Sequence, residues 1–222
     1  MNSLKKKLII RICSIPLFMA LLVLLPAGTL LYWQAYLYFA VLLIPMFIAM
    51  IYFYRKDPEF LNRRMRTKEK ENSQKIFVLL GSVSIVGAFI VPGLDHRFGW
   101  SSVPLAVVLL ANILVLISYF FILYVFKVNS YASRVVEVNE GQKVISTGPY
   151  AFVRHPMYSG IIIMYFMTPI ALASWWGFIP ISILPLLLVL RIRNEEKVLT
   201  EQLEGYSEYC AKVKYRIIPF LW

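Results

Sequence analysis

Apolar residues fall along this chain in long, nearly unbroken runs separated by polar stretches, not in the short alternating patches of a soluble core. Six runs stand out, at residues 8–25, 32–54, 76–91, 103–126, 160–173 and 178–190. The helical pattern of the last continues through a polar stretch to residue 203. Runs of this kind suit a bilayer core of roughly 30 Å. The last two, with only about 13 strongly apolar residues each against the ~20 of a full span, are expected to form a hairpin turning at Ser174-Trp175-Trp176-Gly177. Its arms must extend into their flanks, tilt, or thin the bilayer.

Punctuation between the runs agrees with this reading. Pro26-Ala27-Gly28-Thr29 ends the first run, as a turn cluster would. Tyr32, Trp33, Tyr36, Tyr52 and Tyr54 bracket the second, in the manner of an aromatic belt. The first run follows Lys5-Lys6-Lys7 and lacks a clean small-residue cleavage site, so it reads as an uncleaved helix and not a signal peptide.

Composition narrows the class further. Of 222 residues, 59% are hydrophobic and only 16% charged, against about 45–50% and about 25% in soluble domains. With a mean hydropathy of +0.68, the chain cannot cover a globule with polar surface. The expected fold is an all-α integral membrane bundle of about six hydrophobic helices. The net charge of +11 is read as topology and not as nucleic-acid binding, because the basic residues cluster between the apolar runs. The loop 55–75 holds Arg55, Lys56, Arg63, Arg64, Arg66, Lys68, Lys70 and Lys75, which places it in the cytoplasm. Both termini then lie inside, residues 92–101 form an outer loop, and 127–154 return to the cytoplasmic face. The N-terminal lead-in and the lack of a retrieval signal point to a prokaryotic plasma membrane. Two cysteines, Cys13 and Cys210, and two histidines, His96 and His155, imply no disulfide framework and no metal centre.

The informative polar residues follow Asn129. Residues 1–128 read as a four-span scaffold and 129–222 as a catalytic region. Gly148-Pro149-Tyr150 is a turn signal. In Arg154-His155-Pro156 the proline suits the first turn of the fifth helix, where a missing N–H costs nothing. His155 then sits at a helix start, where backbone N–H groups favour an anion. Arg191 and Glu195 are four apart, so a helix puts them on one face. Singly, these residues also fit snorkelling side chains or a surface ion pair of little energetic weight. Together they form a long ordered constellation.

That constellation resembles the isoprenylcysteine carboxyl methyltransferase family of membrane enzymes. The resemblance rests on GPYAFVRHPMYSG (148–160), RIRNEE (191–196) and GYSEYCAKVKYRIIPFLW (205–222). It implies S-adenosylmethionine as cofactor, bound without a Rossmann domain, and a lipophilic acceptor such as a prenylcysteine or isoprenoid carboxylate. Carried over residue by residue, it implies cofactor contacts from His155, Pro156, Met157 and Tyr158, from Tyr150, from Gln142, Lys143, Val144 and Ile145, and from Glu137 and Glu195. Arg191 maps to the position that contacts the acceptor. The zwitterionic cofactor would find its carboxylate partner at His155, its ammonium or ribose partner at Glu195, and an adenine slot at Tyr150 and Val144. A carboxylate acceptor is ionised at neutral pH and needs no general base, so positioning and desolvation carry the reaction.

Three alternatives remain open. A phospholipid or amine methyltransferase would carry the same cofactor motif. An NADPH-dependent reductase of sterol or isoprenoid double bonds typically carries Arg-His-Pro-Asn-Tyr with an acidic residue just past the glycine, where this chain has Met157 and Ile161. A small transporter would place polar residues at mid-membrane, and the second to fourth runs hold few, among them Ser82, Ser84 and Asn112.

Overall fold

The structure, a computed structural model, describes residues 2–65, 72–133, 135–138 and 140–222, with side chains from residue 4 onward and none for 72–75. Arg66, Lys68, Lys70 and the side chain of Lys75 therefore lie outside the described residues. Every regular element among those described is helical. The helices are α1 (Asn2–Ala27), α2 (Trp33–Lys56), α3 (Pro58–Arg64), α4 (Asn72–Phe98), α5 (Leu105–Val128), α6 (Pro156–Ala171), α7 (Phe178–Ile181), α8 (Leu184–Gln202) and α9 (Tyr206–Lys212). A 3-10 turn occupies Gly148–Ala151.

Among the described residues, four stretches are long and apolar enough to cross a membrane: Leu4–Ala27, Trp33–Lys56, Ile76–Phe98 and Leu105–Val128. With the shorter apolar α6 they make a multi-span helical membrane protein. The 16 residues of α6 reach about 24 Å at 1.5 Å per residue, short of a full hydrocarbon core.

Three local features depart from the sequence reading. The basic loop after α2 is not plain connection, because α3 forms inside it. Asp57 caps α3 by accepting from Phe60 N at 2.8 Å, and Pro58 follows at the first helical position, a strong start signal. The outer loop expected at 92–101 is mostly helix, since α4 runs on to Phe98. It ends at Gly99 (φ +66°), where Gly99 N and Trp100 N both donate to Asp95 O, at 2.7 and 3.3 Å. That left-handed C-terminal closure suits glycine. The sixth run is not one helix, for it breaks between α7 and α8. A continuous helix would bury Pro185 mid-helix, with its ring against the Ile181 carbonyl and no N–H to give. Instead Pro185 sits in the first turn of α8.

The main core joins α1, α2, α4, α5 and α6 around Val23, Tyr32, Ala35, Tyr38, Val115 and Leu172. Buried hydroxyls are paired within it. Tyr32 Oη donates to Leu172 O, and Tyr38 Oη lies 2.9 Å from Thr168 Oγ1. At the end of the bundle where α6 finishes, the buried Asp95 accepts from Ser101 N at 2.7 Å and from the hydroxyls of Ser101 and Ser174. This ties α4 to the 174–177 turn. The other end of α6 opens on a cavity.

Candidate active site

A cavity that opens to solvent lies where α6 begins. Its walls are the irregular segment after α5, the Gly148–Ala151 turn, the first turn of α6, the middle of α8, and α9.

The described residues of the segment after α5 form neither helix nor strand, so side chains take over part of its backbone hydrogen bonding. Asn129 Oδ1 accepts from Tyr131 N at 3.0 Å, Asn129 Nδ2 donates to the Tyr150 hydroxyl at 3.0 Å, and Tyr131 Oη donates to Gly141 O at 3.2 Å. From the far wall, Tyr209 Oη donates to Tyr150 O at 2.8 Å. Gly148 has φ +58°, and a Cβ there would stand 3.3 Å from both Tyr124 Oη and Val128 Cγ2. The turn that presents Tyr150 therefore needs glycine on both counts. Burial raises the Tyr150 hydroxyl to about 12 despite the opposing Asn129 hydrogen bond, so it stays protonated at neutral pH.

His155 is the N-cap of α6 and Pro156 its first residue. Backbone pairing fixes this entry, with Arg154 N donating to Tyr215 O at 2.9 Å and His155 N to Arg216 O at 2.8 Å. One turn in, the Tyr158 hydroxyl links two residues of α8. It accepts from Arg191 Nε at 3.0 Å and donates to Glu195 Oε2 at 2.8 Å. Arg191 and Glu195 are thus on one face, as their spacing requires, and Tyr158 ties them to α6.

Behind this relay lies a charge cluster that sequence reasoning did not find. Glu196 Oε1 stands 2.8 Å from Arg154 Nε as an ion pair, not a directed hydrogen bond, and 3.2 Å from His155 Nε2. Arg216 Nε donates to Glu196 Oε2 at 2.8 Å. Burial pushes the Glu196 carboxyl up, but the hydrogen bonds and charges of His155, Arg216 and Arg154 together outweigh it and hold the group below its usual range. One carboxylate therefore clamps α8, the entry to α6 and the C-terminal tail. The expected anion partner His155 already has Nε2 engaged with Glu196.

Of the residues singled out from sequence, Glu137, Gln142, Lys143, Val144, Ile145, Tyr150, His155, Met157, Tyr158, Arg191 and Glu195 all line this one cavity. Pro156 is off the wall and serves the helix start. Further lining comes from Arg154, which the sequence reading set beside His155 at the helix start, and from Asn129, Tyr206 and Tyr209, to which it gave no site role. Tyr206 and Tyr209 are three apart on α9 and hence on one helix face, a signal that was available. The Tyr206 hydroxyl is buried without a hydrogen-bond partner among the described residues. Those residues contain no cluster of three or more His, Cys, Asp or Glu side chains able to hold a metal ion.

The fold and cavity define a class: a multi-span helical membrane protein with a mixed polar and aromatic cavity at one end of its bundle. Residues 106–205 match the family model for phospholipid methyltransferase, which supports a membrane methyltransferase. The chain is also similar to Delta(14)-sterol reductase TM7SF2 of Mus musculus, with 33% identity over 85 residues, 37% of this chain and 20% of that protein. The matched stretch spans about a fifth of that relative's length.

Proposed function

We propose that this protein is an S-adenosylmethionine-dependent membrane methyltransferase acting on a lipophilic acceptor. The observation that carries the reading is the cavity itself, where a carboxylate, an arginine and a tyrosine are wired together beside an aromatic and aliphatic slot. The donor set fits a zwitterion attached to a nucleoside. Glu195 suits an ammonium or ribose hydroxyls, Arg154 and His155 suit a carboxylate, Tyr150, Val144 and Leu199 suit an adenine face, and the unpartnered Tyr206 hydroxyl can take a ring nitrogen. The match of residues 106–205 to a methyltransferase family points the same way. On this reading residues 1–128 are scaffold, 129–222 form the catalytic region, and the cavity end of the bundle faces the cytoplasm.

S-adenosylmethionine, when bound, supplies a methyl group on a sulfonium. Arg191 holds the acceptor through its rigid guanidinium fork, oriented by its bond to Tyr158. Tyr158 and Glu195 fix the reacting geometry, and the hydrophobic wall excludes water. The preferred acceptor is the carboxylate of a prenylcysteine-like or isoprenoid molecule, because an ionised nucleophile asks for no base. A labelled-methyl assay on purified protein against prenylcysteine, isoprenoid-acid and phospholipid-amine acceptors tests this. Transfer to none of them would overturn it.

The similarity to a sterol reductase favours one second reading, reduction of an isoprenoid double bond with NADPH. Equilibrium binding of labelled S-adenosylmethionine and NADPH separates the two.

A further inference from the structure

The short helix α3 belongs to the part of the chain that precedes residues 106–205, the stretch covered by the family model. Yet its last two arginines reach the segment that follows α5, and Arg64 reaches the cavity wall. Arg63 Nη2 donates to Ser130 O at 2.9 Å, and Arg64 Nη1 donates to Ser133 O at 3.0 Å. The same Arg64 nitrogen lies 3.9 Å from Met157 Sδ, and the Arg64 guanidinium carbon sits 4.5 Å over the Phe126 ring of α5. Ser133 and Met157 both line the cavity. One side chain therefore bridges two of its walls, the irregular segment and the first turn of α6, while resting on the end of α5.

The platform beneath is firm. Phe60 and Leu61 of α3 are buried with Phe53, Ala49, Leu8 and Met65, and Ala132 of the cavity segment packs on the same cluster. Asp57 caps the start of α3, and Arg11 of α1 donates to Met65 O at its end, at 3.3 Å. The described residues of the segment above form no ladder of their own, so their position depends on partners for their carbonyls supplied from outside. A guanidinium is the right donor for this, since its fixed fork can hold a carbonyl while its face rests on an aromatic ring.

We propose that Arg64 is a positioning residue for the cofactor cavity, holding residues 129–133 against α6 so that the cavity is formed before ligand arrives. The proposal rests on the reading of that cavity as the S-adenosylmethionine site. It makes the first 128 residues more than scaffold, because cofactor affinity then depends on a helix outside the catalytic region.

The test uses the full chain in nanodiscs, with Arg64→Ala, Arg64→Lys and, as a control for charge at the same end of the bundle, Arg55→Ala. Hydrogen exchange without cofactor is read at amides 130–133 and 135–138, followed by the Kd for tritiated S-adenosylmethionine and the KM and kcat with an N-acetyl-S-farnesylcysteine acceptor or the best acceptor of the panel. Arg64→Ala should speed exchange there and weaken cofactor binding about tenfold, the weight of one lost charged hydrogen bond, with kcat at saturating cofactor within about twofold of wild type. Arg64→Lys, which keeps charge but loses the fork, should fall between and serves alone if the alanine variant does not fold. Arg55→Ala should match wild type. Unchanged exchange and Kd in both Arg64 variants would overturn the proposal, as would a fall in kcat with unchanged KM. If wild-type protein takes up no S-adenosylmethionine, the functional reading fails, while the exchange rates still decide whether the brace exists.

Discussion

The Tyr158 hydroxyl donates to Glu195 Oε2 at 2.8 Å while accepting from Arg191 Nε at 3.0 Å. A neutral hydroxyl thus passes polarisation from a cation to a carboxylate across two helices, α6 and α8. Tyr158 is buried, so neither partner can replace the bond with bulk water at no cost. Tyr158→Phe keeps the ring and its packing and removes only the relay. We expect cofactor affinity to fall about thirtyfold, equivalent to about 2 kcal/mol for a hydrogen bond to a charged group, with transfer lost in step. Calorimetric titration of S-adenosylmethionine checks the first effect and labelled-methyl transfer the second. Unchanged affinity would remove Glu195 and Tyr158 from the cofactor site.

Much of this arrangement was legible in the residues, and the reasons differ by element. The four long spans follow from run length alone, since nothing but a bilayer asks for so many consecutive apolar residues. Helix α3 had a clear start signal in Asp57-Pro58, hidden by the surrounding positive charge, which drew attention to topology. The break between α7 and α8 was readable from Pro180 and Pro185 but was overridden by the continuity of the apolar pattern. The linking of Arg191 and Glu195 followed from helix periodicity. Glu196 was different in kind. Its partners Arg154, His155 and Arg216 come from two other segments, and no local spacing joins them. Only the path of the tail, pinned by Arg154 N to Tyr215 O and by Ser159 Oγ to Ile217 O at 2.7 Å, brings them together.

Glu196 is expected to matter for the tail more than for the chemistry. Glu196→Gln leaves Arg154 and Arg216 facing one another without an anion, both at least partly buried. Removing one partner of a buried pair costs about 3–5 kcal/mol, and the partial exposure of Arg216 brings the expectation down to about 2 kcal/mol. Thermal unfolding in detergent should show a lower midpoint, and limited proteolysis should cut the tail after α9 faster. A variant as stable as wild type, with an equally protected tail, would contradict the clamp.

The same carboxylate sets a pH dependence with a definite sign. Its folded-state pKa is held below the ordinary value. The stabilisation is therefore present in full above the ordinary glutamate range, near pH 4.3, and is lost as pH falls through the folded value. Wild-type protein should lose its advantage over Glu196→Gln progressively on acidification below about pH 4, and the two should converge. Unfolding midpoints measured from pH 7 to pH 3 check this. A gap that widens on acidification would mean that Glu196 is not the anion holding the tail.

Gly160 closes the motif that begins at Arg154, and its role is steric. A Cβ at this position would stand 2.7 Å from Ile122 Cγ1 and 3.2 Å from Phe121 Cδ1, at the contact of α6 with α5. Two opposing terms act in Gly160→Ala. Helix propensity gains about 1 kcal/mol, while forcing a methyl into a packed contact costs about 1–3 kcal/mol. The overlap involves the inner carbon of a buried isoleucine and not the free end of a flexible chain, so the cost should win by about 1 kcal/mol. Gly160→Val gains less propensity and adds two more carbons, so its loss should reach about 3 kcal/mol. Cofactor affinity per folded molecule should stay near wild type for the alanine variant, since Gly160 does not line the cavity. Unfolding midpoints that rank wild type above alanine and alanine above valine, with unchanged S-adenosylmethionine affinity for alanine, would assign the glycine to packing. An alanine variant of full stability that no longer binds cofactor would assign it to the site instead.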